Sequence, residues 1–164
     1  MSKPWEPLFV IPDSGIEIVK RFEGLHKVVF VRPTVTVAPY LDPVGILTIG
    51  YGHTGPDVVH GMLITEAEAE QLLMTDLARF VEASLRLCPR LWIEPPDRLA
   101  AIASFAFNLG AGRLQTSTLR RRVNEGDWIG AHAELQRWVY AGGKKLPGLI
   151  ARRAAEGQLL LNPA

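Results

Sequence analysis

The stretch EGLHKVVFVRPTVTVAPYLDPVGILTIGYGHT, residues 23–54, decides the fold. It opens on a carboxylate, set in Phe22-Glu23-Gly24-Leu25. It runs through Val- and Thr-rich sequence to a second carboxylate, Asp42, and closes on Leu47-Thr48-Ile49-Gly50-Tyr51-Gly52-His53-Thr54. The β-branched run Val28–Val37, broken by Pro33, predicts strand, turn and strand. Ala38–Gly45 predicts another turn, and Ile46–Ile49 a short strand. Gly50 and Gly52 bracket Tyr51, so the backbone bends or makes a close approach there. Residues 28–60 therefore read as one small antiparallel sheet, within a β lobe spanning 28–62.

On the N-terminal side, residues 1–12 read as an irregular arm. Ser14-Gly15-Ile16-Glu17 has the form of a capping box, and Ile16, Val19 and Phe22 recur at helical spacing. The predicted helix, 14–26, ends near Gly24. Glu23 lies in its last turn, where the helix dipole disfavours an anion. On the C-terminal side, Thr65-Glu66-Ala67-Glu68 is a second capping box. It opens a long helix over 65–87 with the apolar stripe Ala69, Leu72, Leu73, Leu77, Phe80 and Val81. A helical lobe over 96–161 follows. It has an apolar central helix, Leu99–Asn108, then a helix over 116–124. A further helix starts at Asp127 and turns Trp128, Leu135 and Trp138 inward. The last begins at Pro147. Helix, sheet and then many helices give an α+β class, a small antiparallel sheet lobe and a mainly helical lobe joined by a long helix. The 164 residues fit one domain, 1–164.

Bulk chemistry narrows the function classes. Hydrophobic content is 48% and charged content 21%, as in ordinary globular proteins. The single cysteine excludes an intramolecular disulfide and a Cys-based metal site, which fits a reducing compartment. Cys88 reads as a small buried hydrophobe near a helix end. Met1–Asp13 lacks a basic start followed by an apolar core, so neither a signal peptide nor a transmembrane segment is expected. The net charge of +1 hides an asymmetry: residues 113–164 carry nine Lys/Arg against four Asp/Glu. That suits an anionic partner or a solvated helix surface. Without a groove-reading motif, a nucleic-acid partner is not expected.

Hydrolysis of a glycosidic bond needs an acid for the leaving oxygen and a base or nucleophile across the ring. Glu23, beside Phe22 and Leu25, suits the acid. Asp42, in a turn, suits the ionised partner. Thr48 can hold a water by hydrogen bonding. Taken alone, a surface glutamate and a turn-forming aspartate explain the same residues. The wider pattern is more specific. The Glu23, Asp42 and Thr48–Thr54 elements are joined by Ser104-Phe105-Ala106-Phe107-Asn108-Leu109-Gly110. Ser117-Thr118-Leu119-Arg120 with Asn124, and Pro147–Glu156, complete it. Together these resemble phage lysozymes of the T4 type, in particular lambdoid-like endolysins, in order from about residue 14 to 161.

The resemblance implies an inverting muramidase without a cofactor or metal. It would cleave the β-1,4 bond between N-acetylmuramic acid and N-acetylglucosamine in peptidoglycan and so lyse the host cell. It places Glu23 as general acid, Asp42 as the residue activating water, and Thr48 as the residue placing that water. Thr54, Phe107 and Thr118 fall where family members line the saccharide groove. It further implies a monomer held in the host cytoplasm until a holin-like partner opens the membrane. His53 is expected to fix the turn, and Asn108 to be a helix-end or groove-wall amide. Trp128 and Trp138 are expected in the core, and Arg120-Arg121-Arg122 on a solvated face. The family usually places its aspartate about nine residues after the glutamate, whereas here the separation is 42 − 23 = 19. The extra residues, within Val28–Pro39, predict a longer strand or hairpin tip with the Asp42 turn intact. A lytic transglycosylase, or an inactive peptidoglycan-binding module on the same fold, stands as the alternative.

Overall fold

The computed structural model describes residues 9–31 and 34–164. Most of the expected arm, and the expected turn at Pro33, lie outside the described residues. The chain forms two compact units: residues up to Val19 together with Leu77–Ala164, and Lys20–Asp76. Helices α1 (Asp13–Glu23) and α2 (Glu66–Leu87) each lend turns to both.

Within Lys20–Asp76 the strands are β1 (Val28–Val31), β2 (Thr34–Val37), β3 (Tyr40–Leu41), β4 (Leu47–Ile49), β5 (His53–Thr54) and β6 (Ile64–Thr65). They form two antiparallel sheets, β1-β2-β6 and β3-β4-β5, rather than the one predicted. Pro39 explains the split. It has no N–H to continue the β2 ladder. The N–H of Ala38 bonds instead to the Lys27 carbonyl at 3.0 Å and closes the base of the first hairpin. The extra residues are that hairpin, in register from Val28↔Val37 to Val31↔Thr34. Thr36 and Val37 pair in turn with Thr65 and Ile64. The second capping box forms as predicted. The Thr65 N–H donates to Glu68 Oε2 at 2.7 Å, and the Glu68 N–H to Thr65 Oγ1 at 3.2 Å.

The other unit is built on α3 (Pro96–Leu109), whose residues Leu99–Ala106 are all buried. Four of these are alanines, so neighbouring helices approach closely; Ala100 Cβ lies 3.5 Å from where a Cβ on Gly15 would stand. Then follow α4 (Ala111–Gln115), α5 (Thr118–Glu125), α6 (Trp128–Leu135), the hairpin β7 (Tyr140–Ala141) with β8 (Lys144–Lys145), and α7 (Pro147–Leu161). Helix α7 packs on α3 through a buried ionic cluster. Glu156 Oε1 accepts from Ser104 Oγ at 2.7 Å and from Arg153 Nη2 at 3.0 Å. Arg153 Nε stands 2.9 Å from Oε2 but out of hydrogen-bond line. Burial pushes the Arg153 guanidinium down to about 10, against the pull of Glu156, so it stays charged at neutral pH. Burial likewise raises Glu156, opposed by Arg153 and the Ser104 hydroxyl.

Several local expectations change. Helix α1 begins at Asp13, and the Ser14 hydroxyl donates to Asp97 at 2.6 Å instead of capping its own helix. Helix α6 ends at Leu135, so Trp138 lies beyond it and packs edge-on against Phe105 at 5.4 Å. Trp128 lies under the Arg98 guanidinium at 4.0 Å. A 3-10 turn over Pro89–Ile93 and the β7–β8 hairpin appear where only breaks were predicted. Among the three consecutive arginines, Arg120 is no solvated charge: it donates to the Leu87 carbonyl at 3.0 Å and the Gln115 carbonyl at 3.2 Å. Cys88 is fully buried just past α2, as expected.

Candidate active site

Glu23, Asp42, Thr48 and Thr54 all belong to the Lys20–Asp76 unit. Phe107, at the end of α3, and Thr118, at the start of α5, belong to the other. Glu23 is the last residue of α1. Gly24 stops the helix with φ 70°, its N–H bonded to the Lys20 carbonyl at 3.0 Å. The Glu23 carbonyl pairs with His26 Nε2 at 2.9 Å. These contacts fix the backbone from which the carboxylate projects.

The Gly50-Tyr51-Gly52 turn is shaped for that carboxylate. Gly50 and Gly52 have φ 63° and 93°, conformations that a side chain would strain. At Gly50 a Cβ would stand only 3.1 Å from Ala69 Cβ, so the turn lies tight on α2. At Gly52 the nearest atom to a Cβ would be Glu23 Oε2, at 3.8 Å. The backbone thus comes close to the acid. Tyr51, buried between the glycines, takes the Lys20 ammonium 5.5 Å from its ring centroid, and Lys20 in turn pairs with Glu70.

Asp42 sits in a tight turn of its own making. Its Oδ1 accepts from the N–H groups of Val44 at 2.9 Å and Ile46 at 2.8 Å. Its backbone closes the loop with Ile46 and Gly45 at 2.9 and 3.0 Å. Oδ2 takes part in none of these bonds. Thr48, only 3% exposed, donates its hydroxyl proton to the Ile46 carbonyl at 3.0 Å. Its oxygen keeps its acceptor capacity. Across the second sheet Tyr40 pairs with Thr48, and Thr48 with Thr54, so the three side chains share one face.

Tyr40 is the group that sequence reasoning missed. Burial first, then the charges of Glu23 and Asp42, raise its pKa above the ordinary phenol value. It therefore lies within electrostatic reach of both carboxylates. Its ring packs against His26 at 5.1 Å. The available signal was its place two residues before Asp42, the same-face spacing on a strand.

His53 braces the turn, as the sequence suggested. Nδ1 pairs with Asp76 at 2.7 Å and Nε2 with Asp57 at 3.0 Å. Burial disfavours its charge, but the two aspartates outweigh burial and its pKa is raised. Asn108 accepts from Arg153 Nη2 at 3.0 Å at the end of α3. Beside Thr118, a pocket of about 350 Å³ is lined also by Thr116, Ser117, Glu134, Arg137 and Trp138. Hydroxyls, one ion pair and an indole are groups that suit a polar ligand with apolar faces. Among the described residues no group of three or more His, Cys, Asp or Glu could hold a metal ion.

The geometry can be set beside known proteins. The family model described as phage lysozyme matches residues 32–156. That span contains Asp42, Thr48, Thr54, Phe107 and Thr118, and starts after Glu23. A SAR-endolysin of bacteriophage PS119 is 44% identical over 128 residues, 77% of this chain and 75% of the relative. An endolysin of the Escherichia coli O157:H7 phage FAHEc1 aligns in structure with TM-score 0.77 and 31% identity, covering 98% of each chain. The muramidase domain of SpmX from Asticaccaulis excentricus aligns with TM-score 0.77 and 34% identity, over 94% of this chain and 99% of that one.

Proposed function

Because the chain belongs to the phage lysozyme family, we propose that it is an endolysin: a lysozyme-type glycosidase that cuts bacterial peptidoglycan and lyses the host cell. The bond cut is the β-1,4 link from N-acetylmuramic acid to N-acetylglucosamine, and the reaction inverts the anomeric centre. The observation that carries this reading is how Asp42, in the turn after β3, and Thr48, on β4, each have their hydrogen bonds disposed. Thr48 gives its one proton to the Ile46 carbonyl, so it meets a water only as an acceptor. Asp42, with Oδ1 held by two N–H groups, offers Oδ2 as the second acceptor. A water donating both protons to these oxygens is left with its lone pairs for the sugar carbon. Asp42 takes the proton as the C–O bond forms. Glu23 protonates the departing glycosidic oxygen from the opposite face, as inversion requires.

Thr54, Phe107 and Thr118 are assigned to saccharide contacts. The two units act as one lysozyme domain, 1–164, and the enzyme works as a monomer without a cofactor. It waits in the host cytoplasm and reaches the wall once a holin-like partner opens the membrane. Among the described residues no helix is long and apolar enough to cross a membrane. Mass spectrometry of digested, purified peptidoglycan tests the chemistry. Hydrolysis leaves reducing-end muramic acid, whereas 1,6-anhydro ends would mean a transglycosylase. No product at all would mean an inactive wall-binding module. Sedimentation velocity tests the monomer: a second copy seated on the exposed apolar face of Val28, Phe30 and Val35 would be seen as a dimer.

A further inference from the structure

We infer that His26 and Tyr40 are positioning residues: they clasp the neck of the β1–β2 hairpin and so set the spacing between the Glu23 and Asp42 carboxylates. This rests on the muramidase reading above. Inversion needs the acid and the base about 6.5–9.5 Å apart, with room for one water. Glu23 and Asp42 are 19 positions apart in the chain, and the whole β1–β2 hairpin lies in that interval. An open root would let any bend of the hairpin move one carboxylate relative to the other. A closed root isolates the pair from the hairpin.

Two layers of contact close it. In the backbone, the Ala38 N–H reaches the Lys27 carbonyl at 3.0 Å. Lys27 takes φ 52°, alone in the left-handed region among the described residues other than glycine, so the chain accepts strain to make this closure. Immediately outside that bond, His26 and Tyr40 meet ring to ring, with centroids 5.1 Å apart and planes tilted by 52°. Each ring is tied to one half of the site. The Glu23 carbonyl can only accept, so His26 Nε2 donates to it, at 2.9 Å. Tyr40 stands opposite Thr48 in the β3–β4 ladder, two residues before Asp42. Burial first, then the charges of Glu23 and Asp42, raise its pKa, so both carboxylates lie within electrostatic reach of the phenol. One hydrogen bond and one ring contact thus join the acid's helix end to the strand that leads into the base. The hairpin beyond the clasp can vary without changing their separation.

The test is a mutant cycle on soluble, sonicated peptidoglycan fragments, read as initial rates of reducing-end release, with thermal melting run on every variant. Tyr40→Ala and His26→Ala should each lower kcat by about tenfold, within what a misplacement of 1 Å or less costs, and shift KM by less than about twofold. Tyr40→Phe keeps the ring contact and should restore most of what Tyr40→Ala loses. His26 is exposed, so its variant carries the test even if Tyr40→Ala fails to fold. In a Glu23→Gln background neither alanine should lower the remaining rate further, because the acid that the clasp places is gone. Losses that multiply in that background would overturn the clasp, as would full activity in His26→Ala or a rise in KM at constant kcat. In each of those cases Glu23 keeps its role. Wild type that releases no reducing ends, or Glu23→Gln as active as wild type, would sink the muramidase reading itself, and the clasp with it.

Discussion

Two acidic side chains in this molecule have opposite surroundings, Glu156 on α7 and Asp42 in the turn after β3. Glu156 is completely buried and faces two arginines, a serine and the helices that carry them. Among the described residues Asp42 is held by backbone N–H groups, both of which bond to Oδ1. The first arrangement has no room for a substrate, and its charges answer one another. The second keeps a charge at the surface at low cost, because the turn that holds it is also the turn it makes. Of the two, the carboxylate held by backbone N–H groups is the one with an oxygen outside those bonds.

The comparison can be broken from either side, beginning with the largest effect. Glu23→Gln should lower reducing-end release from purified peptidoglycan by about 10³-fold, the usual scale for a positioned general acid, while melting stays near wild type. A variant as active as wild type would remove Glu23 from the mechanism. Glu156→Ala should do the reverse. It leaves the Arg153 charge buried without its carboxylate, at about 3–5 kcal/mol of stability in denaturant unfolding, with specific activity per folded molecule little changed. If Glu156→Ala were no less stable, the cluster would not be what holds α7 to α3. Thr48→Val keeps the shape of β4 and removes the hydroxyl. A loss of about tenfold in turnover is expected, the scale of one hydrogen bond at the transition state. No change would mean that Asp42 places the water unaided.

The smallest effect is in pH. His53 has a raised pKa in the folded chain because Asp76 and Asp57 outweigh its burial. Its charged form therefore stabilises the fold fully below about 6.5, the unfolded value. That contribution is lost as pH rises through the higher folded value. Denaturation curves across this window should show the decline, and Asp76→Asn should flatten it. An NMR titration placing His53 at or below the unfolded value would refute the arrangement.

What could be read in the sequence was local. Thr65 and Glu68 are three residues apart and find each other through their own backbone, so the box was legible. Ser14 has the same signature, but its partner is Asp97, 83 residues away, and no spacing rule reaches that far. The division into two sheets turned on Pro39, whose missing N–H was visible, although where the next ladder would form was not. Trp138 looked like a helix position because Leu135 was one, yet Phe105 is what places it. The turn that holds Asp42 was legible because it is self-contained, whereas the roles expected of Asp42 and Thr48 came from the family resemblance. Tyr40 was not, because its importance comes from Glu23, brought near by folding. The β7–β8 ribbon was half legible: two glycines marked a break, but two-residue strands carry no alternation to read.

Burial pushes the Cys88 thiol up to about 12, with Arg120 pulling the other way. At neutral pH the reactive thiolate is then a fraction on the order of 10⁻⁵. A chain whose one sulfhydryl is so silenced offers no thiolate to a disulfide, a glutathione adduct or a neighbouring copy. Its thiol chemistry would be the same in a reducing space as in an oxidising one.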